Sequence, residues 1–417
     1  MFLKPILSPK QSGFRKGDST EFQLTRLVQQ WSDAMDKSKF VGVLFLDIKK
    51  AFDRVYLPGL LYKLESAGVR RNALRWFKNF LESRCQRTVI GQSTSDLQYL
   101  HAGVPQGAIL SPLLFSLYIN DITASTSGDV NLFADDTSAF TISDSVTELQ
   151  TSLQSVTDDL SSWFAKWALT INVTKTAVMV LCVRRNVPKI SILINGSEIR
   201  QVHVHKHLGL HIDSHLSWTD HVAAVISKVS SKLGLLRRLR PRLPPLAIHT
   251  LFLSCIRPVL EYASLAWSGL SSGNSERLER LQRSAARLIT GTRLQDHLPR
   301  HFLPARAGLD RLDDRRHVKC GAFGFKLALQ KDRLPAHLAT FINDWLSFVP
   351  ERTSTMTCRS QTNSAALRLP RPQTETLRSS PLYLCLTVLN SIPLDHLSSL
   401  SCVEAYLKNS LEASLLQ

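Results

Sequence analysis

What this sequence lacks narrows its possible roles. Its seven cysteines, Cys85, Cys182, Cys255, Cys320, Cys358, Cys385 and Cys402, contain no CxxC pair. That scatter builds neither a zinc knuckle nor a disulfide framework and points to a reducing compartment. No apolar run reaches the roughly 18 residues needed to span a bilayer; "AILSPLLFSLYI" falls short. The opening "MFLKPILSPK" is too short and too interrupted by proline to be a secretory leader. No fixed-period repeat is present, which sets solenoids and propellers aside. Acids are scarce as well: 34 Asp and Glu against 51 Lys and Arg give a formal net charge of +17. A field of that sign gathers polyanions and makes their binding salt-dependent, so nucleic acid leads as the partner class. The expected setting is intracellular, in cytoplasm or nucleus, without a membrane.

A length of 417 residues, 44% of them hydrophobic, allows two or three domains with real cores. The first half alternates short strand-like runs with helical ones, which argues for an α+β fold. "FVGVLFLDI" (40–48) is a continuous apolar run ending on an acid, and "VNLFADDTSAFTI" (130–142) is two such runs meeting at carboxylates. Leu149, Leu153, Val156, Leu160, Trp163, Phe164 and Trp167 recur with helical period. From about residue 219 the texture becomes helical and basic. Val222, Ile226, Val229, Leu233 and Leu236 are interleaved with Lys228, Lys232, Arg237 and Arg238, a set able to follow a phosphate backbone without choosing sequence. A solvated helix face is the plainer reading. "RPRLPPL" breaks that helix, and "SERLERLQRSAARLIT" begins another with Leu278, Leu281, Ala285 and Leu288 on one side.

The adjacent carboxylates Asp135 and Asp136 sit inside an apolar run, where burying them unpaired would cost several kcal/mol. Asp47 closes another such run. A sheet that makes these strands neighbours brings the acids to one edge, which suits Mg²⁺, usually held by one or two carboxylates plus substrate phosphates and water. Two such ions can serve an in-line phosphoryl displacement. Alternate strand residues face opposite ways, so Asp47 and Asp135 are expected as principal ligands, with Asp136 completing the site. On its own a "DD" pair is also what a solvated turn shows.

The surrounding blocks carry more. "LDIKKAFDRV", "HAGVPQGAILSPLLFSLYINDI" and "NLFADDTSAF", in that order, resemble the palm of reverse transcriptases, in detail those of non-LTR (LINE-type) retrotransposons of the jockey-like group. "QSGFRKGDST" is similar to the motif preceding that palm, "LTINVTKTAVMV" to the lysine-bearing motif after it, and "HKHLGLHIDSHLSW" to the primer-grip hairpin. "RPVLEYASLAWSG" and "LERLQRSAARLITG" resemble the helical thumb and the region beyond.

The resemblance implies a right-hand polymerase palm, an antiparallel sheet with packed helices, joined to partial fingers and an all-helical thumb and C-terminal region. It implies that Asp47, Asp135 and Asp136 hold two catalytic Mg²⁺ ions, replaceable by Mn²⁺. Phe52 would exclude ribonucleotides at the sugar 2′ position. Gln106 and Gly107 would lie at the incoming nucleotide, and Lys175 at the departing pyrophosphate. Arg15 and Lys16 would lie on template backbone. The alternating His203, His205 and His207 raise a zinc reading, but they fall in the hairpin block and no cysteine or acid completes a tetrahedral set.

The expected divisions are 1–39 partial fingers, 40–218 palm, 219–349 thumb, 350–380 linker and 381–417 a poorly defined tail. The family's upstream arginine block, its endonuclease and a Cys/His knuckle are not seen, so a truncated reading frame is expected. The expected activity is RNA-directed DNA polymerisation with an RNA template, a DNA primer and dNTPs. A catalytically silent relic that only binds nucleic acid is the alternative. A two-metal nuclease is weaker, because the Pro-Gln-Gly block and the hairpin would have no job in it.

Overall fold

The computed structural model describes residues 6–293, 302–347, 369 and 371–415. It contains two compact units, Met1–Thr20 with Lys39–His203 and Glu21–Ser38 with Val204–Gln417.

The first unit is built on a five-stranded sheet. The run at 40–48 forms β1 (Phe40–Leu46), with all seven residues buried; a continuous apolar run is the pattern of a strand covered on both faces. The acid-bearing run splits into β2 (Asp129–Phe133) and β3 (Asp136–Ser143), followed by β4 (Ala177–Leu181) and β5 (Arg200–Gln201). The strand order is β5-β4-β1-β3-β2. β1 is central and antiparallel to both β3 and β4, and β2 and β3 form a hairpin. Only the short β5 runs parallel to its neighbour, β4.

Helix Val146–Lys166 covers one face of the sheet with Leu149, Leu153, Val156 and Leu160, all buried. Gly42 of β1 lets it approach: a Cβ there would lie 3.0 Å from Leu153. The Ser145 hydroxyl accepts the N–H of Glu148 and starts the helix. Helix Ser111–Ile119, which follows the Pro-Gln-Gly turn, packs on helix Leu57–Ser66. Lys63 ties the two together. Its ammonium lies 2.6 Å from Asp121 and 3.5 Å above the Trp167 ring. Burial pushes Lys63 down to about 8, with Asp121 opposing the shift.

Among the described residues, the second unit is helical apart from a hairpin of Val204–His207 and Leu210–Asp213. The hairpin that ended the expected palm therefore groups with the helices. Helix Thr219–Leu239 buries Val222, Val225, Val229, Leu233 and Leu236; Val225 takes the place expected for Ile226. It packs on helix Ser272–Thr290, whose buried side runs through Leu278, Gln282, Ala285 and Ile289. The expected stripe through Leu281 and Leu288 is rotated, because Gln282 turns inward and donates from Nε2 to the Asp310 carbonyl.

The expectation of a poorly defined tail is corrected. Helices Pro381–Asn390 and Leu400–Leu415 pack on helix Leu312–Leu329 and share a core of Phe323, Leu327, Leu382, Leu386, Val403 and Leu407. Of the expected linker, residues 350–368 and 370 lie outside the described residues. Its end is fixed: one Asp36 carboxylate oxygen accepts from Gln373 N, Thr374 N and Thr374 Oγ1 at 2.8, 2.6 and 2.8 Å.

Candidate active site

β1 and β3 pair in register up to Leu46 opposite Thr137. One step further, that register sets Asp47 beside Asp136. In the β2–β3 hairpin Phe133 pairs with Asp136, leaving Ala134 and Asp135 as a two-residue turn. Asp135 is therefore in the turn and not on the strand, so the alternation that would send it and Asp136 to opposite faces does not apply. Ala134 takes φ +58, a left-handed conformation that non-glycine residues adopt seldom and that concentrates at functional sites.

The three carboxylates feel one another. Asp136 is raised by burial first, then by Asp135 and Asp47. Asp135 is raised by burial and, after a backbone hydrogen bond that opposes it, by Asp47. Among the described residues, no lysine or arginine forms an ion pair with either. The expectation that the pair is buried is nonetheless corrected: Asp135 and Asp136 are solvent-exposed and Asp47 is half-buried, while Leu132, Ala134 and Thr137 around them are buried. The strand end is dry and the charges stand at its mouth. A cation would relieve both the partial desolvation that raises the two carboxyls first and the repulsion from neighbouring acids that adds to it.

Among the described residues no three His, Cys, Asp or Glu side chains converge as a metal-holding set. Mg²⁺ needs only one or two carboxylates when phosphates and water supply the rest. An uncompensated group of carboxylates at one strand edge therefore fits that ion as a donor set.

Two neighbouring segments support this edge, and the residues that do so were not singled out from the sequence. On one side, Asn172 donates from Nδ2 to Asp47 Oδ2 at 2.8 Å, and its N–H donates to the Asp47 carbonyl at 2.8 Å. The Thr176 hydroxyl accepts the Asp47 N–H at 3.3 Å. Lys175 rides on this loop, exposed. On the other side, residues 10–13 extend the sheet past β2. Leu132 N–H donates to the Lys10 carbonyl, Ser12 N–H donates to the Leu132 carbonyl, and Gln11 bridges Leu132 in parallel. The fully buried Gln11 accepts through Oε1 from Gly13 N at 2.8 Å and from Ala134 N at 3.1 Å. Gly13 lies against the acid turn itself, where a Cβ would be 2.3 Å from Ala134 N. Arg15, expected on template, donates instead to the Ser8 and Gln11 carbonyls of this segment; Lys16 is exposed.

The Pro-Gln-Gly loop is strapped to the segment after Asp47. Val104 N–H donates to the Phe52 carbonyl and Gly103 N–H to the Val55 carbonyl, both at 2.8 Å. Gln106 Nε2 donates to Asp53 Oδ1 at 2.8 Å. Gly107 holds φ +81 with open space where a Cβ would be. Phe52 is half-buried, its ring stacked 4.6 Å from that of the fully buried Phe115.

In the second unit, Lys228, Arg237 and Arg238 are exposed and Lys232 is half-exposed on helix Thr219–Leu239. His205 and His207 lie on the first hairpin strand. His207 is buried and pushed down to about 3, by desolvation first and His205 second, while His203 is exposed.

Two outcomes follow from this edge. The folded chain keeps protons on Asp135 and Asp136 at a pH where an unfolded chain has released them. Stability from this pair is therefore lost as pH rises through the raised values, and repulsion is complete at neutral pH. Asp135→Asn is expected to raise the melting temperature by a few degrees without divalent ions and to flatten the pH dependence of stability just above the ordinary carboxylate range. Mg²⁺ is expected to stabilise the wild type more than the variant. Unchanged melting and an equal Mg²⁺ response would show that the acids do not interact. Gly13→Ala forces backbone apart and is expected to cost about 1–3 kcal/mol in chemical denaturation; a neutral result would remove Gly13 from the support of the turn.

Comparison with known proteins gives the chain a family. Residues 1–212 match the family model described as reverse transcriptase (RNA-dependent DNA polymerase). The chain is 30% identical over 293 residues to the RNA-directed DNA polymerase from mobile element jockey of Drosophila funebris, covering 67% of this chain and 32% of that protein. It is also 30% identical over 297 residues to the probable RNA-directed DNA polymerase from transposon X-element of Drosophila melanogaster, covering 69% and 32%. It thus spans about a third of the length of these relatives. Apo telomerase from Candida tropicalis aligns over 81% of this chain and 53% of its own, with 12% identity and a TM-score of 0.39. Among the described residues no helix is long and apolar enough to cross a membrane. With a matching model over half its length and an acid-bearing sheet edge in that half, the chain belongs to the reverse transcriptase family.

Proposed function

We propose that this chain is the polymerase portion of a non-LTR retrotransposon enzyme, extending a DNA primer on an RNA template with dNTPs. The observation that carries the proposal is the β1–β3 register and the β2–β3 turn, which bring the acid-bearing ends of both runs to one sheet edge, where Asp47 raises both Asp135 and Asp136. Mg²⁺ held there by these residues would supply charge neutralisation and activation of the primer hydroxyl.

The protein's own groups have separable tasks. Asn172 and Thr176 orient Asp47, and Gln11 and Gly13 hold the turn that presents Asp135. Phe52, braced by Phe115, meets the sugar at its 2′ position as a steric filter. Gln106, tethered to Asp53, and the open backbone at Gly107 border the nucleotide base. Lys175 offers a proton or a positive charge to leaving pyrophosphate. Lys228, Lys232, Arg237 and Arg238 follow the duplex backbone, which adds affinity without sequence choice. Lys16 adds a weaker contact to the template. In this reading 1–39 is partial fingers, 40–218 palm, 219–349 thumb, 350–380 linker and 381–417 a C-terminal helical region, functional divisions that differ from the packing units, in which Glu21–Ser38 and the hairpin from Val204 group with the helices.

Primer extension on poly(rA)/oligo(dT) with Mg²⁺ tests the assignment. Wild type is expected to incorporate dTTP and Asp135→Asn to lose at least a hundredfold, about 2.7 kcal/mol of transition-state stabilisation. Equal signals from both would place the activity elsewhere. Salt-dependent RNA binding with no incorporation would favour the silent relic. For the filter, Phe52→Val is expected to increase the ratio of UTP to dTTP incorporation at least tenfold with dTTP use largely kept; an unchanged ratio would remove Phe52 from sugar selection.

A further inference from the structure

Helix Arg71–Leu81, in the first unit, lies away from the acid edge in sequence and is poorly covered: of its residues only Leu81 is buried. Arg71, Arg75 and Lys78 are spaced i, i+4, i+7 and so form one ridge, and all three are exposed. Lys78 has a loose partner in Glu82 at 4.0 Å. Neither Arg71 nor Arg75 has an acidic partner among the described residues. Beside the ridge, Trp76 is 53% exposed and lies flat on Phe80, with centroids 5.5 Å apart and 4° between planes. Phe77 meets it edge-on at 5.2 Å. The indole is thus braced by two rings and still half exposed. The strand pair that follows adds a 65% exposed Tyr99, and Arg87, just past its first strand, is exposed. Residues 71–100 hold five bases (Arg71, Arg75, Lys78, Arg84, Arg87) and two acids (Glu82, Asp96). Arg84 is spent on the carbonyls of Leu81, Ala102 and Gly103.

We infer that this face binds single-stranded nucleic acid, with one unpaired base stacked on Trp76 and phosphates on the Arg71, Arg75 and Lys78 ridge. The charge selects a polyanion, and a second copy of the chain would set like-charged ridges against each other. The braced, open ring selects an unpaired base, since a base inside a duplex has no free face to offer. The inference rests on the reading that the chain handles nucleic acid, and it adds a place for a strand outside the primer–template duplex.

The test measures binding of a fluorescent 12-nucleotide oligo(U) to the full chain without dNTPs, across a salt series, against a blunt RNA duplex of the same length. Trp76→Ala is expected to weaken oligo(U) binding about tenfold, the worth of one stacked base, with duplex binding unchanged and Trp76→Phe restoring most of the loss. The double variant Arg75→Ala, Lys78→Ala is expected to reduce the slope of log K against log salt by about 1.4, or 0.7 for each lost contact to a single strand. Circular dichroism melting of each variant reports folding, and sedimentation reports self-association. Unchanged oligo(U) affinity and salt slope in folded variants overturn the inference. So does a loss of self-association in Trp76→Ala without a loss of affinity, which would put a second copy on this face. Asp135-dependent extension persisting beside either outcome would leave the polymerase reading intact and dispose of this site alone.

Discussion

Like charge held together at the end of a central strand is the constraint on which the rest depends. β1 is buried along its whole length, and its antiparallel pairing with β3 fixes where Asp47 ends up. A shift of one residue in that register would send every side chain of β1 to the opposite, differently packed face of the sheet. The core therefore dictates that Asp47 and Asp136 be neighbours, and the two-residue turn adds Asp135. Among the described residues no lysine or arginine forms an ion pair with Asp135 or Asp136 to relieve the repulsion so created. A strand end organised this way asks for a mobile cation and a polyanionic ligand, and metal-assisted phosphoryl transfer supplies both.

The support of that edge comes from distant segments. Gln11 is fully buried and gives both acceptor positions of one oxygen to Gly13 and Ala134, more than a hundred residues apart. Asn172 holds Asp47 from the opposite side by side chain and backbone together. Ala134 remains in a left-handed conformation because pairing on one flank and the 10–13 segment on the other leave it little choice. Strain kept at a charged turn is the arrangement expected where geometry matters to chemistry. The Pro-Gln-Gly loop is fixed by the same means, through backbone bonds to the residues just after Asp47.

Much of this was legible in the sequence, for definite reasons. The continuous apolar run at 40–46 announces a strand covered on both faces, and the two shorter runs within 130–142 meet at acids that stand out against them. The helix at 146–166 shows its period because one face meets the sheet and the other meets water. Other features leave no local mark. The exposure of Asp135 and Asp136 depends on how far the hairpin tip projects, which composition does not encode. Gln11, Gly13 and Asn172 are ordinary polar or small residues whose work appears only when the chain returns to them. Arg15 reads as surface charge until two backbone carbonyls are found beside it. The C-terminal helices were obscured because their apolar positions meet a groove assembled from helix Leu312–Leu329 and from each other.

Cation binding at the strand edge is the most direct measure of the central claim. Electron paramagnetic resonance can count Mn²⁺ bound to the chain in the presence of a dideoxy-terminated primer on an RNA template with the next dNTP. The account predicts two bound ions per chain for wild type, and fewer for Asp47→Asn and for Asp136→Asn, with folding unchanged. Equal Mn²⁺ occupancy in wild type and both variants would contradict it.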